Sequence, residues 1–286
     1  MMAGMRSLTH AWSRVGALAL VLGCVPGARS QPARAPVHQG AFATVNGIKL
    51  HYVDWGGTGE PLLFLTALGG NAERQFEALA PPLTDRFHVL GVTRRGQGQS
   101  DKPVSGYDTD TLVRDLLGFL DLMRIQRVHL AGHSVAGAEM TRFAVTHPER
   151  VSRLVYLDSA NDYKSLAKIS AAAGLPPPRE TALAAILDGA AEHSPAYSRV
   201  KAPALNVVVV YEGGVPVRPQ DDEAYRRYVQ LLNEKDFVGE QIRRFQREVK
   251  RGTTLALHNT DHNGFLSDPT QLAIVIPAVR RFLLTP

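Results

Sequence analysis

The sequence predicts an α/β protein, a mostly parallel twisted sheet flanked by helices, on three observations. Short, largely apolar runs of strand length recur at residues 61–66, 87–92, 128–131, 151–157 and 205–211, as strands buried on both faces require. Helical patterns separate most of these runs, and strands alternating with helices imply parallel neighbours joined by right-handed crossovers. The 286 residues, 44% of them hydrophobic, suffice for one large core, and the single cysteine excludes an intramolecular disulfide framework.

From the N-terminus, Arg6 and Arg14 precede an apolar run at residues 15–25, too short to span a bilayer and of the length of a signal-peptide core. Ala28-Arg29-Ser30 supplies a small-x-small cleavage site. Residues 1–30 are therefore expected to be an export signal, and the mature protein periplasmic or secreted. Residues 21–24, Val-Leu-Gly-Cys, also resemble a bacterial lipobox, in which Cys24 would carry lipid and begin the mature chain. Both readings stay open. No other segment approaches ~20 uninterrupted apolar residues, so no membrane span is expected in the mature chain. Residues 1–30 carry Arg6, Arg14 and Arg29 and no acid, so their removal takes the net charge from +5 to +2 and leaves little to attract nucleic acid. Residues 31–40 are proline-rich and aperiodic, a flexible segment ahead of a domain at 41–286.

Within that domain, strand patterns at 42–45 and 48–55 flank Asn46-Gly47, the strongest short hairpin signal in the sequence. The buried parallel sheet begins with the run at 61–66. Leu112, Val113, Leu116, Leu117, Leu120 and Met123 recur at three and four, which predicts a helix over 109–125 with one apolar face. Between Leu157 and Leu205 lie about 45 residues with helical pieces and no strand, too long for a plain connection. They are expected to form a small helical cap after the sixth strand, at about 160–202, over one edge of the sheet. A second helical stretch, 221–251, precedes a short strand at 253–257. Its Arg243, Arg244, Arg247, Lys250 and Arg251 are interleaved with Glu240 and Glu248, the pattern of a solvated helix face.

Chemistry enters at "VHLAGHSVAGAEM", residues 128–140. A serine hydroxyl needs a base to become a nucleophile, and a sharp turn between a strand and a helix exposes it best. Such a turn needs small flanking residues, and Gly132, Ala136 and Gly137 flank Ser134. The base is expected beyond the last strand, where His258 and His262 occur. His262 lies in the polar loop Asp261-His262-Asn263-Gly264, ahead of a closing helix that starts near Asp268-Pro269, while His258 ends the strand. His262 is thus the candidate base. His51, His88, His129 and His147 are scattered and read as structural. No phosphate loop and no His/Cys/Asp/Glu cluster with metal spacing occurs, so no cofactor and no metal are expected.

From about residue 44 to 284 the chain resembles the α/β-hydrolase fold family. Beside the serine turn, the residues that carry the resemblance are Arg95-Gly96-Gln97-Gly98-Gln99-Ser100-Asp101, matching the family's R-G-x-G-x-S-D, and "LTALGGNAERQF", in the place of its His-Gly loop with Thr66-Ala67 standing for His-Gly. Thr93 stands where the family usually has an aspartate. The resemblance implies backbone oxyanion donors at Val135 and Leu68. It implies an acid after the sixth or the seventh strand, which leaves Asp158 favoured, Glu212 as its rival and Asp162 behind both. It implies a serine hydrolase cleaving a small-molecule carboxylic ester, with a lactonase, a C–C hydrolase, a perhydrolase or a non-catalytic binding protein on the same fold as alternatives. Relatives that cleave haloalkanes or epoxides attack with an aspartate, so Ser134 argues against both chemistries.

Overall fold

The computed structural model describes residues 39–285. The expected export signal, with Cys24, lies outside the described residues. Of the expected flexible segment only Gln39 and Gly40 are described, and they open the first strand, pairing with Asp54 and Val53.

Eight strands form one sheet: β1 (Gln39–Val45), β2 (Ile48–Gly56), β3 (Glu60–Leu65), β4 (Phe87–Val92), β5 (Val128–His133), β6 (Val151–Leu157), β7 (Ala204–Val209) and β8 (Gly252–Leu257). Their order is β1-β2-β4-β3-β5-β6-β7-β8, with β1/β2 and β2/β4 antiparallel and the six strands from β4 to β8 parallel. The β1–β2 hairpin turns on Asn46 and Gly47, both at positive φ (49° and 79°), the conformation that an Asn-Gly pair adopts at least cost. The chain order reverses around β3, and the crevice beyond the carboxyl ends of strands at such a point is where open α/β sheets hold ligands.

Helices cover both faces. On one face α2 (Thr109–Leu122), α3 (Ala136–Thr146) and α7 (Phe237–Glu248) bury Phe119, Phe143 and Phe245 against Leu63, Leu130 and Tyr156. On the other, α1 (Ala72–Phe76) and α8 (Pro269–Leu284) bury Phe76, Val275 and Leu283 against Phe64, Val155 and Val207. Asp or Asn side chains at Asn71, Asp108 and Asp268 accept the first free helix N–H groups, so α1, α2 and α8 start where their sequence says they should.

The connection from β6 to β7 folds as α4 (Tyr163–Ala173) and α5 (Thr181–Ala191), helical as expected. The cap is larger than residues 160–202, however. The stretch 221–251 is two helices, α6 (Glu223–Glu234) and α7, broken at Asp236 (φ 45°), and α6 packs on α4 through Leu232 and Ile169. The basic residues of α7 are paired: Arg243 with Asp236 and Glu240, Arg244 with Glu248 and with Asp162 at the start of α4.

Candidate active site

Ser134 follows β5 directly and is held at φ 54°, left-handed for a residue with a side chain, while its N–H donates to the Leu157 carbonyl at 3.3 Å. The strain is imposed by packing on both sides of the turn. A Cβ on Gly132 would come within 2.6 Å of Met140 Sδ and 2.9 Å of the Ala136 Cβ, and one on Gly137 would overlap the Ser159 carbonyl oxygen. The chain can thus hold an alanine at 136 because the tight approach falls one residue later, at Gly137.

Asp158 follows β6 directly, at a second strained position, φ 47°. One carboxylate oxygen accepts the Val209 N–H at 3.1 Å and the other lies 2.6 Å from His262 Nδ1. A carboxylate can only accept, so Nδ1 carries the proton and Nε2 is left as a lone-pair base. The structure therefore brings His262 to Asp158. Glu212 is elsewhere: it is 85% exposed, with its carboxylate 4.0 Å from His258. Asp162 is committed to capping α4 through the Ser165 N–H and to pairing with Arg244 at 2.7 Å.

Val135 and Leu68, the expected oxyanion donors, lie close together beside the serine turn. Val135 is buried at the start of α3 and packs in one cluster with Leu68 and Tyr163. Their N–H groups have no acceptor among the described residues. The Thr66–Gly70 loop is shaped without His-Gly: the Arg94 guanidinium donates to the Thr66 carbonyl at 3.1 Å, Gly70 N–H to the Ala67 carbonyl at 3.1 Å, and Ala67 N–H to Gln75 Oε1 at 3.1 Å. Thr93, in the place of the usual aspartate, accepts the Ala72 N–H at 3.0 Å. Arg95 pairs with Asp115 through two hydrogen bonds, at 2.5 and 2.7 Å, so the Arg-Gly motif ties its loop to α2.

Three neighbours of the proposed site residues were not singled out by the sequence. His133 precedes the serine, Gln75 lies on α1, and their bonds leave one proton arrangement. His133 Nε2 donates to the His262 carbonyl at 2.7 Å, so Nδ1 is bare and accepts from the Gln75 amide at 2.7 Å, whose oxygen in turn accepts from Ala67. Burial, with His262 alongside, pushes His133 down to about 3, which keeps it neutral. The third is Tyr163, which borders the same cavity as Ser134 and whose hydroxyl pKa burial raises. His133 carried a positional signal, being the residue before the nucleophile. Gln75 and Tyr163 carried none, because only the fold brings them near.

Ser134, Asp158 and His262 all border one cavity of about 800 Å³ between the sheet edge and the cap helices. Among the described residues no cluster of His, Cys, Asp or Glu could hold a metal ion.

A family profile described as alpha/beta hydrolase fold matches residues 60–183. The acetyltransferase component of the acetoin cleaving system of Cupriavidus necator is 33% identical over 110 residues, 38% of this chain and 29% of that protein. The chain thus aligns with under a third of that relative's length. Among solved structures, E-2-(acetamidomethylene)succinate hydrolase superposes with a TM-score of 0.63 at 20% identity, covering 87% of this chain and 100% of the other. An esterase from Thermogutta terrifontis gives 0.63 at 17% identity, covering 86% and 100%. The sheet order, the matched segment and these superpositions lead to one conclusion: this chain has the α/β-hydrolase fold, and its residues 60–183 match that family's profile.

Proposed function

We propose that this protein is a serine hydrolase that cleaves small-molecule carboxylic esters through an acyl-enzyme. The observation that carries the proposal is the 2.6 Å contact of Asp158 with His262 at the cavity where Ser134 stands on its strained turn. His262 Nε2 takes the Ser134 proton as Oγ attacks the ester carbonyl, and Asp158 stabilises the imidazolium that forms. The N–H groups of Leu68 and Val135 receive the oxyanion. Collapse of the tetrahedral species expels the alcohol, protonated by His262, and water then attacks the acyl-serine with His262 again as base. A lactone would open by the same steps with its leaving group still attached, so lactones belong in the substrate panel.

The test is intact mass after exposure to a fluorophosphonate, with Ser134→Ala and His262→Ala alongside. A single adduct on Ser134, absent from both variants, is the expected result, and an unmodified folded parent chain overturns the proposal. The proposed setting is outside the cytoplasm, with residues 1–30 as the export signal or Cys24 as a lipid anchor. The N-terminal mass of protein recovered from the native host decides: Gln31 excludes the anchor, and a diacylated Cys24 excludes cleavage after Ser30.

A further inference from the structure

The steps above use nothing on β7 beyond the Val209 N–H, yet that strand carries an anomaly. A parallel strand covered on both faces is apolar because its side chains meet no polar partner, whereas β7 reads Ala-Leu-Asn-Val-Val-Val. Asn206 is 2% exposed, and its Oδ1 has no hydrogen-bond partner. A buried polar group left this way needs an explanation, either a held water or a partner that reaches it through a cavity. Leu205, Val207 and Val209 point into the core beneath α1 and α8, so Asn206 and Val208 point the other way, and both border the cavity that holds Ser134 and His262. Asn206 is in register with Tyr156, two residues before Asp158, which puts it on the floor of the cavity below the reacting edge.

Charge narrows what could reach it. Among the described residues the charged side chains bordering the cavity are Asp158, engaged with His262, and the exposed Asp188, with no lysine or arginine. Much of the remaining wall is apolar or aromatic: Tyr163, Tyr211, Tyr225 and Tyr228, with Pro176 to Pro178 at one side. A carboxylate or phosphate entering here would lose its water and find no counter-charge. At about 800 Å³ the space is in the upper part of the ~300–1,000 Å³ range of small-molecule clefts.

We propose that the cavity selects an uncharged ester with a bulky aromatic arm, and that a hydroxyl at the end of this arm hydrogen-bonds Asn206. A hydroxyl both donates and accepts, so it serves either orientation of the amide. This rests on the serine-esterase reading for the reaction but not for the binding. Thr254, next to Asn206 in register on β8, also has an unpartnered hydroxyl and does not border the cavity. A water held between the two is the competing explanation.

The experiment uses the full-length chain and three 4-nitrophenyl esters, of 4-phenylbutanoic acid and of its para-hydroxy and para-carboxy derivatives. The hydroxyl ester should be turned over about tenfold faster in kcat/KM than the phenyl ester, and the carboxylate ester at least about a hundredfold more slowly than the phenyl ester. In Asn206→Val, which continues the apolar strand, and in Asn206→Ser, made alongside in case one variant fails to fold, the hydroxyl advantage should vanish. An advantage that survives in both variants, with only the melting temperature changed, assigns Asn206 to a structural water and overturns its role. A carboxylate ester cleaved as fast as the phenyl ester overturns the charge selection. Binding of the three matching N-methyl amides to Ser134→Ala is read by calorimetry in parallel. If no ester is cleaved and Ser134 takes no fluorophosphonate, the reaction is wrong, and the order of the three affinities still decides the selectivity.

Discussion

His133 and Gln75 join the loop that carries His262 to the loop that carries Leu68, through three hydrogen bonds with one possible proton arrangement. Removing either should loosen both loops without touching substrate. His133→Ala and Gln75→Leu are each expected to lower kcat by about tenfold or more with KM within about twofold, and the double variant should cost no more than the worse single. Additive losses would mean that the two act separately. Asp158→Asn should lower kcat by about a thousandfold or more, because the amide fills the space but cannot stabilise the imidazolium, while Glu212→Gln should leave the rate within about twofold. At this scale the sequence was legible where a residue's meaning is local. Ser134 announces itself by its small neighbours, and His262 by its loop ahead of the last helix. Asp158 and Glu212 each follow a strand, and only the three-dimensional distance to His262 separates them. Asn206 is a polar letter in an apolar run, but its side chain's surroundings come from α7 and the cap, which no local pattern reports.

The elements were legible because each is punctuated by its own residues. Strand ends fall within about three residues of their patterns, and α8 begins behind Asp268-Pro269 as an Asx cap and a first-turn proline dictate. The break between α6 and α7 was not, since Lys235-Asp236 carries neither Gly nor Pro and Asp236 takes a left-handed conformation at a modest cost that Asp tolerates. The serine turn makes a sharper prediction about glycine. Gly137→Ala drives its methyl into a backbone carbonyl and should cost about 3 kcal/mol or more, whereas Gly132→Ala meets the flexible end of Met140 first and should cost less. Urea unfolding of the two variants checks the order, and equal losses would contradict it.

For the whole molecule, the buried histidines set the acid limit. Burial lowers the pKa of His51 and of His129, in the second case against the pull of Glu60, and takes His133 down to about 3. An unfolded chain protonates all three near their ordinary value of about 6.5, so below that pH it binds protons that the folded chain refuses. Stability is therefore whole above about 6.5 and falls as the pH drops, for His133 down to about 3, each such group contributing up to about 1.4 kcal/mol per pH unit. The urea midpoint should move down steadily from pH 7 to pH 5, and a midpoint that stays constant would show that these rings titrate freely. The architecture has one more consequence. The cap is rooted at both ends of a single strand, α4 and α5 arriving before β7 and α6 after it, while Ser134 and Leu68 follow β5 and β3, strands the cap never interrupts. Apart from Asn206 on β7, the residues proposed to select a substrate and those proposed to react thus sit on separate stretches of chain, so that rewriting the two insertions would reshape most of the cavity wall and leave the serine turn untouched.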